Sequence, residues 1–145
     1  MRYGFLILIC ACLFQSAAQA DDEPRTVPAI DRSDSLNRTQ AEVDLFHAVN
    51  RERESHGLKP VVWDGNMVLF SRKHTMRQCS SGMFHSGGGY NENVAMGQPD
   101  VPAVMNTWMH SSGHRANILN PSVTRYGGSG FRGRLGTMWT QVFGR

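Results

Sequence analysis

Between Trp108 and Leu119 the chain reads WMHSSGHRANIL. Apolar side chains stand at both ends, with Ser111-Ser112-Gly113 between them, and serine and glycine both disfavour a continuous helix. The spacing predicts one helix ending near Ser111 and a short second one over 115–119, stopped by Asn120-Pro121. His110 and His114 flank that break. Upstream, FHSGGGYNENVAMG sets His85 and Glu92 beside three consecutive glycines. Imidazoles and a carboxylate embedded in Gly, Ser and Asn build a solvated polar cleft, whereas a buried core would be apolar.

Caps and periods give the other elements. Thr39-Gln40-Ala41-Glu42 is a capping box. Ala41, Leu45, Ala48 and Val49 follow on one helical face, which Gly57 and Pro60 close. Pro60-Val61-Val62-Trp63 is an extended link. Asp64 is the N-cap of a second helix, with Met67, Phe70, Ser71 and His74 on one face, fading by Gly82. Residues 85–89 are a loop and 91–96 a strand. Asp100 caps a third helix, with Pro102 in its first turn and Val101, Val104, Met105 and Trp108 toward the core. Residues 126–131 and 137–143 form a hairpin through 132–136. Gly127, Gly128 and Gly130 mark a bulge or a close backbone approach. Helices first and paired strands later give an α+β fold.

The first 20 residues of the 145-residue chain read as a signal peptide. Arg2 supplies the positive start, 5–14 is apolar, and Ala18-Gln19-Ala20 is the cleavage site. That run is shorter than the roughly 18–20 residues of a membrane span, so no transmembrane span is expected in the mature chain. A lipidated N-terminus is the rival, although Cys10 and Cys12 follow poor lipidation boxes. Residues 21–37 carry five Asp/Glu and two Pro without a hydrophobic period, and read as a flexible leader to a domain over 38–145. Cleavage leaves Cys79 as the sole cysteine, so no disulfide forms within the domain. Cys79 reads as a small buried hydrophobe, with a reactive thiol or an intermolecular bridge as the alternatives.

The net charge of +3 is scattered, which leaves no footprint for nucleic acid. Arg132, Arg134 and Arg145 gather near the end, as a solvated hairpin tip or a contact for an anionic surface.

Several short patterns run in a recognisable order: Asn50 with Arg53, Gly57-Leu58 with Pro60, His74, Phe84-His85-Ser86, Asn91-Glu92-Asn93-Val94-Ala95, Trp108, Ser112-Gly113-His114-Arg115-Ala116-Asn117-Ile118-Leu119, and Trp139-Thr140-Gln141 with Phe143. Over residues 42–144 the chain resembles the CAP superfamily (cysteine-rich secretory proteins, antigen 5, pathogenesis-related proteins; the SCP domain), and its bacterial branch above all. The resemblance implies an α-β-α sandwich with a mainly antiparallel central sheet and a cleft bearing a His/Glu cluster. In the animal and plant branches that cluster is two His and two Glu. This chain keeps His85 and Glu92, but has Ser111 where the helix Glu is expected and Met138 where the second His is expected. His114 is the candidate replacement. The chain also lacks the disulfides of many relatives.

His85, Glu92 and His114 are thus the candidate catalytic and metal-binding residues. Imidazole nitrogen and carboxylate oxygen ligate zinc or a similar divalent ion. Alternatively, Glu92 is a general base for water held by the histidines. The structural alternative has Glu92 accepting backbone N–H groups of the glycine loop and His114 capping the third helix. His110 and His114 stand at i, i+4 but lack the Glu of H-E-x-x-H. His74, on an apolar face, reads as a hydrogen-bonded core histidine. Trp108, Trp139 and Phe143 read as core, and Arg115 and Asn117 as structural. No G-x-S-x-G elbow or cysteine-protease signature is present, which argues against covalent catalysis. The expected function is a secreted or periplasmic binding module for an extracellular or envelope ligand, whether lipid or sterol, metal or protein. The alternative is a metal-assisted or acid/base hydrolase using His85, Glu92 and His114.

Overall fold

In the computed structural model the first helix, α1 (Gln40–Ser55), begins at the capping box. Thr39 Oγ1 accepts from Glu42 N at 3.4 Å, and Glu42 Oε2 accepts from Thr39 N at 2.9 Å. The structure describes residues 38–145, so the expected signal peptide and leader lie outside the described residues. Gly57, at φ 71°, turns the chain out of α1. The elements that follow are β1 (Val62–Trp63), α2 (Gly65–Ser81), β2 (Asn91–Met96), α3 (Val101–Met109), α4 (Ser112–Ile118), β3 (Arg125–Gly133) and β4 (Gly136–Gly144). Asp64 and Asp100 cap α2 and α3 through Met67 N and Ala103 N, as their positions predict.

The four strands lie in the order β1-β3-β4-β2. β1 runs parallel to β3, and the β3–β4 and β4–β2 pairings are antiparallel. The sheet is therefore mixed, with antiparallel pairing dominant. Strand alternation divides β4 between two layers. Trp139 and Phe143 join Tyr126 in one core with Leu45, Phe46 and Val49 of α1, Val104 and Trp108 of α3 and Ile118 of α4. Thr140 faces the other way, where its Oγ1 meets Gln78 Oε1 of α2 at 3.2 Å. The architecture is the expected α-β-α sandwich. Burying each large apolar side chain in such a core contributes about 1.5–3 kcal/mol.

Asn50 and Arg53 tie α1 to the loops around it. Asn50 exchanges two hydrogen bonds with the Val61 backbone. The buried Arg53 guanidinium donates to the carbonyls of Lys59, Ile118, Asn120 and Val123. Burial pushes the Arg53 pKa down, and the four carbonyl dipoles offset that cost.

The glycines of β3 mark close approach and no bulge, since the β3–β4 register is unbroken from Arg125↔Gly144 to Gly133↔Gly136. A Cβ on Gly127 would lie 2.2 Å from the Met67 carbonyl carbon of α2. Three details differ from the sequence reading. The extended link at Val62–Trp63 pairs with β3 as an edge strand. α4 begins at Ser112, three residues early, because Ser111 is extended and takes the N-cap position. Cys79 is half-buried, its Sγ 3.8 Å from Phe131 O, and burial pushes its thiol pKa up.

Candidate functional site

Glu92 lies in an edge strand, β2, and points to the α2 side of the sheet. Its neighbour Asn93 points to the opposite side, where Nδ2 donates to His114 O at 3.0 Å and Oδ1 accepts from Asn117 Nδ2 at 2.8 Å. Asn117 also donates to Glu92 O at 3.2 Å. Short α4 is thereby fastened to β2 by amide side chains.

His85 reaches Glu92 from the other direction. After α2 ends, Phe84 O accepts from His74 Nε2 at 2.8 Å and from Gln78 Nε2 at 2.9 Å. That anchor delivers His85 to Glu92, with Nδ1 2.9 Å from Oε1. The same oxygen accepts from Ser86 N at 2.8 Å. A carboxylate oxygen accepts, so Nδ1 carries a proton, and in the neutral ring Nε2 then carries the lone pair. The His85 side chain is 64% exposed and that of Glu92 6%. Gly87 and Gly89, at φ 69° and 76°, wrap a shallow cleft of about 280 Å³ beside the pair, with Tyr90 and Asn117 on its rim.

His74 belongs to this site as well. Its Nε2 lies 3.9 Å from Glu92 Oε2, a buried oxygen without a hydrogen bond among the described residues. It is a hydrogen-bonded core histidine, as its apolar face predicts, but nothing in sequence ties it to Glu92. The link appears only when the chain between Phe84 and Glu92 folds back on α2.

His114 is near enough for His85 to act on it. Its pKa is pushed down, first by burial and then by repulsion from His85. Its Nδ1 is buried and has no hydrogen-bond partner among the described residues. Among the described residues, no group of three or more His, Cys, Asp or Glu is arranged to hold a metal ion. Of the expected set, His85 and Glu92 are hydrogen-bonded to each other, and His114 lies within the field of His85.

Several neighbouring residues take structural roles. Glu92 accepts the backbone N–H of Ser86 in the glycine loop. Arg115 reaches His56 at 3.2 Å and binds no carbonyl among the described residues. His110 lies beyond α3, its Nδ1 2.8 Å from Asn106 O. Ser111 and Met138 stand where the resemblance expects the missing tetrad residues, and Met138 is fully buried.

A larger groove of about 650 Å³ lies between α1 and α3. Ala48, Val101, Met105 and Met109 give it apolar walls, with His47 and His110 at its margin. It shares no lining residue with the His85–Glu92 cleft.

Residues 46–143 match the model of the cysteine-rich secretory protein family, CAP. The chain belongs to this family. The Bacillus subtilis protein YkwD is 32% identical over 120 residues, covering 70% of this chain and 46% of YkwD. A secreted protein of Candida albicans is 33% identical over 76 residues, covering 52% of this chain and 21% of that protein. The chain thus spans less than half the length of these curated relatives. Among solved structures, an extracellular SCP-domain protein from Bacillus anthracis superposes with a TM-score of 0.62 at 25% identity. That match covers 72% of this chain and 40% of the other. An outer surface protein of Borrelia burgdorferi gives a TM-score of 0.64 at 16% identity, covering 74% and 96%, and supports the fold alone. No helix among the described residues of this CAP protein is long and apolar enough to cross a membrane.

Proposed function

We propose that this CAP-domain chain is an exported binding module for an extracellular or envelope ligand. The observation that carries the reading is the pairing of His85 and Glu92 at 2.9 Å beside an open cleft. The exposed His85 ring is oriented by Glu92, which leaves Nε2 as the ring nitrogen free for a ligand. This suits recognition of a hydroxyl, an ammonium group or a divalent ion better than it suits bond cleavage. The groove between α1 and α3 supplies apolar walls for the lipid form of the same reading. Export is supported by the N-terminal signal pattern and by relatives named as secreted or extracellular. Protein recovered after export should begin at Asp21.

An acid/base hydrolase is the second reading. The Nδ1–Oε1 contact of His85 with Glu92 is the observation that favours it, because in the neutral ring it leaves Nε2 to take a proton from water. Calorimetric titration with zinc, uptake of a fatty acid and hydrolysis of model esters and peptides separate the two. Binding without turnover supports the module, with His85→Ala and Glu92→Ala abolishing the zinc arm. Hydrolysis lost in His85→Ala would replace it with the hydrolase.

A further inference from the structure

The last acidic residue of the chain is Asp100, yet Arg115, Arg125, Arg132, Arg134 and Arg145 follow it. Two of these cations stand at one protruding point. β3 and β4 pair out to Gly133↔Gly136, so Arg134 and Leu135 alone form the connection. Arg132 and Arg134 make no ion pair among the described residues. Between and beside them project two apolar side chains that no element covers, Phe131 at 52% exposure and Leu135 at 49%.

A third exposed apolar side chain lies on the same sheet face, with the fully buried Met138 between it and Phe131. Phe131 and Met96 both lie opposite Met138, one on each side of β4. They therefore share a sheet face, about 10 Å apart across two strand spacings, and Met96 is also exposed. The hairpin is held firmly behind the tip. A Cβ on Gly133 would lie 2.7 Å from Cys79 Cβ of α2, and Gly97 N donates to Thr137 O at 2.8 Å. The exposed side chains are thus presented on a braced support.

We propose that the β3–β4 tip docks on an anionic lipid surface, with Phe131 and Leu135 entering the interface and Arg132 and Arg134 meeting the headgroups. The charge argues for this occupant, since unpaired cations flanking exposed apolar groups suit an acidic bilayer. The size argues against a protein. A stable protein interface buries more than about 1,000 Å², and a four-residue projection is far smaller. The tip is separate from the His85–Glu92 cleft, so docking and ligand recognition act independently.

Co-sedimentation with phosphatidylglycerol-containing vesicles, compared with pure phosphatidylcholine, tests the proposal. The protein is purified from cells exporting the full chain, and all variants share its N-terminus. Wild type should partition to the anionic vesicles and be released by salt. Each arginine near the surface adds about fivefold, so the Arg132→Gln/Arg134→Gln pair should weaken partitioning by roughly 25-fold. Phe131→Ser/Leu135→Ser should weaken it at least comparably, and Leu135→Ser alone, in a two-residue connection, reads the same effect with little risk to folding. His85→Ala should leave it unchanged. Equal partitioning to both vesicle types, or retention by the arginine pair, overturns the proposal. So does a wild-type dimer that becomes monomeric in Leu135→Ser without any vesicle binding, which would make the tip a contact between copies.

Discussion

His74 Nε2 lies 3.9 Å from Glu92 Oε2, the carboxylate oxygen that no hydrogen bond from the described residues claims. The other oxygen holds both His85 Nδ1 and Ser86 N. One carboxylate thus stands between a buried imidazole and an exposed one. Because His74 Nε2 is directed at Phe84 O, it orders the chain leading to His85.

Glu92→Ala should free the His85 ring. Nitrogen NMR should show the Nδ1–H form of His85 in the native protein and a shift toward the Nε2–H form in the variant. Loss of the acceptor for Ser86 N should also cost about 1–2 kcal/mol of stability. An unchanged tautomer in Glu92→Ala would mean that the hydrogen bond does not set it.

Arg53 offers the sharpest stability test. Arg53→Met leaves the Lys59, Ile118, Asn120 and Val123 carbonyls without their shared donor. Unsatisfied buried acceptors cost about 1–3 kcal/mol each, so the variant should lose about 3 kcal/mol or more in denaturant unfolding. Arg53→Lys should rescue little, because one ammonium cannot reach four carbonyls spread over two loops.

Much of the fold was legible because its signals are local. Thr39 and Glu42, Asp64, and Asp100 declare three helix starts through caps that span three residues. The strand at 91–96 and the hairpin follow from alternation. The site was legible in part. His85 and Glu92 were placed together by the family pattern, since seven residues of glycine-rich loop carry no geometry of their own. His74 was missed as a partner, because its contact with Glu92 depends on how Phe84 O is anchored. The position of His114 is set by Asn93 and Asn117, amides that fasten α4 to the edge strand carrying Glu92. That pairing leaves no trace in sequence spacing.

Gly127 and Gly113 should respond in opposite ways to alanine. At Gly127 the new Cβ meets the α2 backbone at 2.2 Å, which neither element can relieve without separating. Gly127→Ala should cost about 3 kcal/mol or more, and much of the protein should be recovered unfolded. At Gly113, in α4, nothing lies within 4 Å of the added atom. Gly113→Ala should stabilise by roughly 0.5 kcal/mol, since glycine is the poorer helix former. Thermal melts of the two variants check both signs.

His114 gives the pH dependence its direction. Burial, and then repulsion from His85, lower its pKa in the folded state below the ordinary 6.5. The unfolded chain takes up this proton near that ordinary value, and the folded chain only at lower pH. In the window between, the unfolded state binds more protons, so stability falls as the pH falls. The contribution is fully present above the unfolded value and is lost on acidification through the folded one. The melting temperature should therefore decline from pH 7 toward pH 5, and His114→Gln should make that decline shallower. His85→Ala should raise the His114 midpoint seen by NMR, because the repulsive part disappears while burial remains. A midpoint unmoved in that variant would show that the two imidazoles do not share a field.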